Sequence, residues 1–392
     1  AQHPAVMPKG AQGVRAIRRI PVSRRLTASL LSALLLAGLP AAAMAQQETM
    51  TDPASTWRSS VKRDAVDVAA FGDGFVLVGG PLRERQGKVW LSDDGLTWSR
   101  VADDAVFDGV ALRRVATFDG GIVALGTQGR RLVGLHSPDG TTWTKTDIDR
   151  VGKGLELFAD AVTDGPAGLI AVASMVAQDL AGQRFYGSED GRTWKEIEPP
   201  SDTAPGIFVS LEATDDEYLA LARPLFTPGE DLYWRSSDAV TWETFEGPDG
   251  GNLYDLAVGE DGSYVGVGAD TETFMPAIWH ASELGAWERV YEVASSKEPE
   301  ERLQLAAAGG PGFLVGGSTS SCPMQATRYC PSASILASAD GLDWQALGVE
   351  DGVPGPLHDT VPQSIAANGA NTAMVAWHED RPIEVWMLPP SE

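Results

Sequence analysis

Short runs of alternating bulky and small residues recur along this chain, separated by turns rich in Gly and Asp. The first clear unit begins with an alternating stretch, Ala65 to Phe71, and turns at Gly72-Asp73-Gly74. A second run, Phe75 to Gly79, leads through a polar loop to a third, Lys88 to Leu91, and a fourth starts at Thr97-Trp98. Period-two alternation bounded by such turns predicts strands and hairpins. The second strand repeats as IVALG from Ile122, LIAVA from Leu169, YLALA from Tyr218, YVGVG from Tyr264 and FLVGG from Phe313. Third strands place a large apolar residue two positions before the following turn, at Trp90, Leu135, Tyr186, Trp234, Trp279 and Leu336. No stretch has comparable helical periodicity. Four short antiparallel strands per unit, repeated at intervals of roughly 40 to 60 residues, predict the blades of a β-propeller.

The ends complete the count. After Trp344 the chain makes three more strands, near Gln363 to Ala367, Ala373 to Trp377 and Glu384 to Leu388, with Trp386 in the position of Trp90. The missing fourth strand has its counterpart at the front, where Thr56-Trp57-Arg58-Ser59-Ser60-Val61 matches Thr97-Trp98-Ser99-Arg100-Val101. The expected fold is all-β: a seven-bladed propeller over residues 56–392, closed by the N-terminal strand, which removes open sheet edges.

A phrase marks the turn between third and fourth strands. It reads S-x-D-G-x-T-W at Ser92 to Trp98, Ser137 to Trp143 and Ser188 to Trp194. Weaker copies run from Ser236 to Trp242 and Ser338 to Trp344, and an eroded one carries Glu283, Gly285, Ala286 and Trp287. Asp and Ser side chains bond to nearby backbone in tight turns, and Gly supplies a positive φ. The expected structural set is therefore Ser92, Asp94, Gly95 and Trp98; Ser137, Asp139, Gly140 and Trp143; Ser188, Asp190, Gly191 and Trp194; Ser236, Asp238 and Trp242; Ser338, Asp340, Gly341 and Trp344. Each Trp is expected to fill the wedge between diverging blades, where truncation to Ala costs about 3–5 kcal/mol.

This phrase resembles the Asp-box, or BNR repeat, of the sialidase-like propellers, and the resemblance covers essentially the whole region after the N-terminal segment. The usual family form has one more residue between Asp and Gly. The resemblance implies that the Asp turns lie on the face away from any active site. Sialidases use three arginines, a Tyr-Glu pair, an acid/base Asp and an Arg-Ile-Pro motif. Arg19-Ile20-Pro21 matches that last string but precedes the first blade, and no second copy follows. The catalytic sialidase propeller is six-bladed, against seven units here. Asp-box propellers with seven blades include photosystem assembly factors, which bind rather than catalyse.

The first 45 residues read as a secretory signal peptide. Arg15, Arg18, Arg19, Arg24 and Arg25 precede an apolar run from Leu26 to Leu39, and Ala41-Ala42-Ala43-Met44-Ala45 offers a cleavage site before Gln46. Residues 46–55 are a short linker. The protein is thus expected to be secreted or periplasmic. Six of the 30 Lys and Arg and none of the 54 Asp and Glu lie in the segment, so the formal charge moves from −24 to −30 on its removal. Such a surface repels nucleic acid and anionic membranes. Cys322 and Cys330 lie in one polar loop, where an oxidising compartment allows a disulfide. Neither a metal site nor a cofactor is expected.

Any site should lie opposite the Asp turns, on the loops joining second to third strands. These carry Arg83, Arg85, Arg130, Arg131, Arg184, Arg223, Arg328 and Arg381, with Tyr254 and Asp255 near the fifth unit's first strand. Arg forms bidentate contacts to carboxylate and sulfate. The sequence points to a monomeric binding or assembly module for an acidic small molecule, a glycan or a protein. The alternative is a sialidase-like glycoside hydrolase.

Overall fold

The computed structural model describes residues 58–388, apart from 62–63, 81–84, 102–104, 178–179, 201–205, 225–230, 293–300, 310–311, 321–330, 348–359, 370 and 379–383. The proposed signal peptide, the linker, Trp57, Cys322 and Cys330 lie outside the described residues.

The strands form seven four-stranded antiparallel sheets, numbered here in chain order of their first complete hairpin. In the first, Ala65–Phe71, Gly74–Gly79, Lys88–Ser92 and Ser99–Arg100 follow one another across the sheet. Sheets two to six repeat this order. The seventh holds Thr360–Asn368, Asn371–His378 and Glu384–Leu388, and its fourth strand is Arg58–Val61, paired Arg58 to Met387 and Val61 to Glu384. The first strand of each sheet lies against that of the next, and Thr360–Asn368 lies in turn against Ala65–Phe71.

Apolar alternation on both faces of a sheet demands a partner on each side, and the core is divided accordingly. Val76, Val89 and Val115 join sheets one and two with Trp143. Equivalent clusters follow at every later boundary, ending with Met374 against Ile335 and with Ala373, Val375 and Val385 against Val68, Phe75 and Trp98. The turn tryptophans pack into or against these clusters. Trp98 and Trp143 are buried, and Trp194 packs close to Gly134 of the preceding sheet, where a Cβ would lie 3.2 Å from its Nε1.

The Asp turns hold their hairpins by a fixed pattern. Asp94 Oδ1 accepts from Ser92 Oγ at 3.1 Å and from the Leu96 and Thr97 N–H groups at 2.8 and 2.6 Å. Asp139, Asp190, Asp238 and Asp340 repeat this set of bonds. These backbone donors hold each carboxyl below the usual range, that of Asp238 at about 2. The glycines take φ of 67° to 76°, and Trp98, Trp143, Trp194 and Trp344 donate their indole N–H to the glycine carbonyl. The fourth sheet departs: Ala239 holds φ 62° in the glycine position, and the buried Trp242 Nε1 has no hydrogen-bond partner among the described residues. In the eroded fifth turn Trp287 Nε1 bonds instead to the Glu246 carbonyl of the preceding sheet.

Candidate binding site

Every inner strand carries a β-bulge at the same level. The ladder slips after Ala65, Leu112, Ala159, Phe208, Leu253, Leu303 and Pro362. One extra residue on one strand bends it and re-aims the side chains that follow. The space enclosed by the seven inner strands is a channel of about 950 Å³, to which all of them contribute.

A hydrogen-bonded belt runs along the channel wall at the bulges. Ser364 Oγ donates to Asp67 Oδ1 at 2.6 Å, and Asp67 Oδ2 accepts from the Val115 N–H at 2.9 Å, so one carboxyl joins sheets seven, one and two. The same device recurs across the ring: Ser210 Oγ donates to Asp255 Oδ1 at 2.5 Å and the Ala306 N–H to Asp255 Oδ2 at 2.9 Å, joining sheets four, five and six. Between these, Arg114 Nε donates to the Asp160 carbonyl, and Gln183 Oε1 accepts from the Phe208 N–H at 2.8 Å. Burial raises the Asp67 and Asp160 carboxyls against the pull of Arg114, and pushes Asp255 up to about 6.

The wall is strongly acidic. Among the described residues nine carboxylates and a single arginine, Arg114, line the channel, and Arg114 is already engaged with two backbone carbonyls. Toward the hairpin-turn mouth, Asp164, Asp215, Asp216 and Glu260 occupy the side formed by sheets three to five. Burial, and then the neighbouring Asp119 and Asp215 charges, raise Asp164. Sheets six, seven and one present Ala307, Ala308, Ala366, Ala367 and Ala70 instead.

The residues expected from sequence divide between two settings. Tyr254 and Asp255 lie on the channel wall. Arg223 stacks over the Tyr254 ring at 4.8 Å while its Nε and Nη2 each bond the buried Asp231 carboxylate at 3.0 Å. Of the expected set, the structure thus brings Arg223 and Tyr254 together, with Asp231 as the third member of the cluster. Arg131 pairs with Asp147 at 3.0 Å, and Arg184 with Asp149 at 2.7 Å, where Tyr186 also donates its hydroxyl. Arg85 and Arg130 are exposed. None of these five arginines lines the channel. Arg83, Arg328 and Arg381 lie outside the described residues. Asp67, Arg114, Asp160 and Glu212 were not singled out from sequence. Alignment of the inner strands on one another exposes Asp67, since Asp67-Val68-Ala69 and Asp255-Leu256-Ala257 match at the bulge.

Among the described residues no group of His, Cys, Asp and Glu is arranged to hold a metal ion. Four-stranded sheets whose inner strands surround a channel define the chain as a β-propeller. No protein-family model and no curated protein matches its sequence. Among solved structures it is similar to YCF48 bound to D1 peptide, at 15% identity and a TM-score of 0.55, over 85% of this chain and 94% of that one. It is similar as well to a GH74 xyloglucanase from Xanthomonas campestris, at 14% identity and 0.53, over 86% of this chain and 56% of that one. A third is puromycin hydrolase, at 14% identity and 0.55, over 86% and 53%. The chain spans about half the length of the latter two. At these identities the likeness is one of fold.

Proposed function

We propose that this protein is an exported seven-bladed propeller of the Asp-box kind, closed by its N-terminal strand, which serves as a binding or assembly module for a protein partner. The observation that carries the reading is the channel of about 950 Å³ bounded by every inner strand, with a belt of polar groups fixed at one level of its wall. Fixed polar groups in a concave space orient a ligand without a change of backbone. Arg223, clamped by Asp231 and stacked on Tyr254, supplies a cationic edge beside that wall. A propeller similar in fold has a peptide bound to it, which favours a polypeptide partner over a small molecule.

The test is retention of partners by the immobilised mature protein and by an Ala366→Trp variant that fills the channel wall. Proteins held by the first and released by the second support the reading; equal retention overturns it. A fluorogenic sialoside assay runs alongside, because turnover lost on substitution of channel carboxylates would put a glycoside hydrolase in its place. Export is tested by N-terminal sequencing of the protein from outside the cytoplasm, with Gln46 as the expected first residue.

A further inference from the structure

Arg113 is the residue that the bulge adds to the inner strand of sheet two, between Leu112, paired with Gly126, and Arg114, paired with Leu125. Its guanidinium lies 5.8 Å over the Phe158 ring of sheet three. Arg223 has the same kind of support, at 4.8 Å over Tyr254, which is likewise the added residue of its bulge. Arg223 is completed by Asp231, which takes its Nε and Nη2. Arg113 has no such partner. Its Nε is enclosed by protein and finds no acceptor among the described residues, none of which forms an ion pair with it. The residue as a whole is partly exposed, and its two Nη groups are not among the enclosed polar atoms. Burial, and then the Arg114 charge, pull its pKa below the ordinary range, against the pull of Asp160. Asp160 does not close the gap, because its Oδ2 is held by the Ser174 hydroxyl at 2.5 Å.

An enclosed donor without an acceptor is destabilising, more so on a charged group. The fold does not need the charge there, since Val66, Val209, Gln304 and Gln363 take the same place in other bulges. Nor are acids scarce: the sequence holds 54 Asp and Glu against 30 Lys and Arg, and Arg131, Arg184, Arg223 and Arg289 each have a carboxylate. The counter-charge missing at Arg113 is therefore a local exception. We infer that Arg113, backed by Phe158, is a subsite that receives a carboxylate of the protein partner. A planar guanidinium offers parallel donors to a carboxylate, and an aromatic face behind it holds its plane. The subsite stands at the level of the channel wall, where Val209, Tyr254, Gln304 and Gln363 occupy the equivalent bulge positions. The inference rests on the binding-module reading and supplies the charge of one group of the ligand. A formal charge of −24 opposes general attraction of anions, so capture of an acidic peptide reports a local site.

The experiment is a fluorescence-anisotropy titration with labelled pentaglutamate amide, whose carboxylates are all on side chains, and with labelled pentaglycine, whose carboxylate is the chain end. Labelled pentaglutamine amide is the uncharged control. The proteins are the wild type, Arg113→Gln, Arg113→Lys, and Arg130→Gln, which removes the same charge at an exposed position. The wild type is expected to bind pentaglutamate amide and not the control. Arg113→Gln should weaken binding at least tenfold, while Arg130→Gln should change it less than twofold. Binding of pentaglycine instead, lost in Arg113→Gln, supports the subsite and assigns it to a chain end. Binding of neither probe, or equal weakening by Arg113→Gln and Arg130→Gln, overturns the inference. Should Arg113→Gln fail to fold, Arg113→Lys decides: it keeps the charge without the planar fork and should weaken binding at least threefold, and unchanged binding overturns the inference. Partner retention separates this from failure of the module itself. If Ala366→Trp releases a retained partner and Arg113→Gln does not, the channel is a docking site but the carboxylate subsite falls.

Discussion

Ser364 donates to Asp67 at 2.6 Å across 297 residues of sequence. The Val68 N–H reaches the same Ser364 hydroxyl at 3.4 Å, so the first and last inner strands are joined through side chain as well as by packing. Removal of one partner leaves the other buried without its bond, at about 1–3 kcal/mol. Asp67→Ala should cost more than Ser364→Ala, because it also strips the Val115 N–H of its acceptor. Urea unfolding of the two variants checks the order; equal midpoints would show that the Val115 bond contributes nothing.

Ala239 stands where four other turns have glycine, at φ 62°. A left-handed conformation costs a non-glycine residue on the order of 1–2 kcal/mol. Ala239→Gly should therefore stabilise the protein by about 1 kcal/mol after loss of a buried methyl. A rise in thermal midpoint is the expected readout, and a fall would mean that methyl packing outweighs strain.

Gly191 shows the opposite situation. Its φ is 67°, and a Cβ there would lie 2.6 Å from Val123 Cγ2 of the preceding sheet. Gly191→Ala combines backbone strain with a clash, so a loss of about 2 kcal/mol or more is expected. Gly154, at φ 88° with open space around it, isolates the backbone contribution. Gly154→Ala should cost clearly less in the same denaturation series.

The two sets of acids respond to pH with opposite sign. Glu212 and Asp255 have folded-state values raised above those of the unfolded chain, so the folded form binds the extra proton. Their stabilising contribution is complete below pH ~4 and is lost as pH rises, through about 6 for Asp255. The turn aspartates are depressed, and their contribution is present above pH ~4 and lost as pH falls toward about 2, the value held by Asp238. Glu212→Gln removes one raised acid without removing a hydrogen bond. It should raise the thermal midpoint at pH 8, leave it unchanged at pH 4, and flatten the profile between. A midpoint lowered equally at both values would count against the confined, unpartnered setting of Glu212.

Much of the architecture was legible because it is encoded locally. Alternation within five to ten residues fixes a strand, and the bonds of Asp94 to Leu96 and Thr97 close within its own turn. The observed strands Ala65–Phe71 and Glu384–Leu388 coincide with those expected from alternation alone. Of the stretch Thr56 to Val61, matched in sequence to Thr97 to Val101, the described residues Arg58–Val61 pair with Glu384–Leu388. The channel was not legible, for a physical reason. A bulge inserts one residue into a period of two and reverses which face the following side chains occupy, so alternation could not place Asp67, Arg114 or Glu212 on the wall.

The sequence by itself determined the repeat, the strands and their turns, since each depends on contacts within one unit. Only the tertiary structure decided where charge gathers. It settled Arg131, Arg184 and Arg223 into pairs with Asp147, Asp149 and Asp231. It brought carboxylates from strands many residues apart into one enclosed wall. Coulomb interactions depend on distance and burial in space, and neither can be counted along the chain.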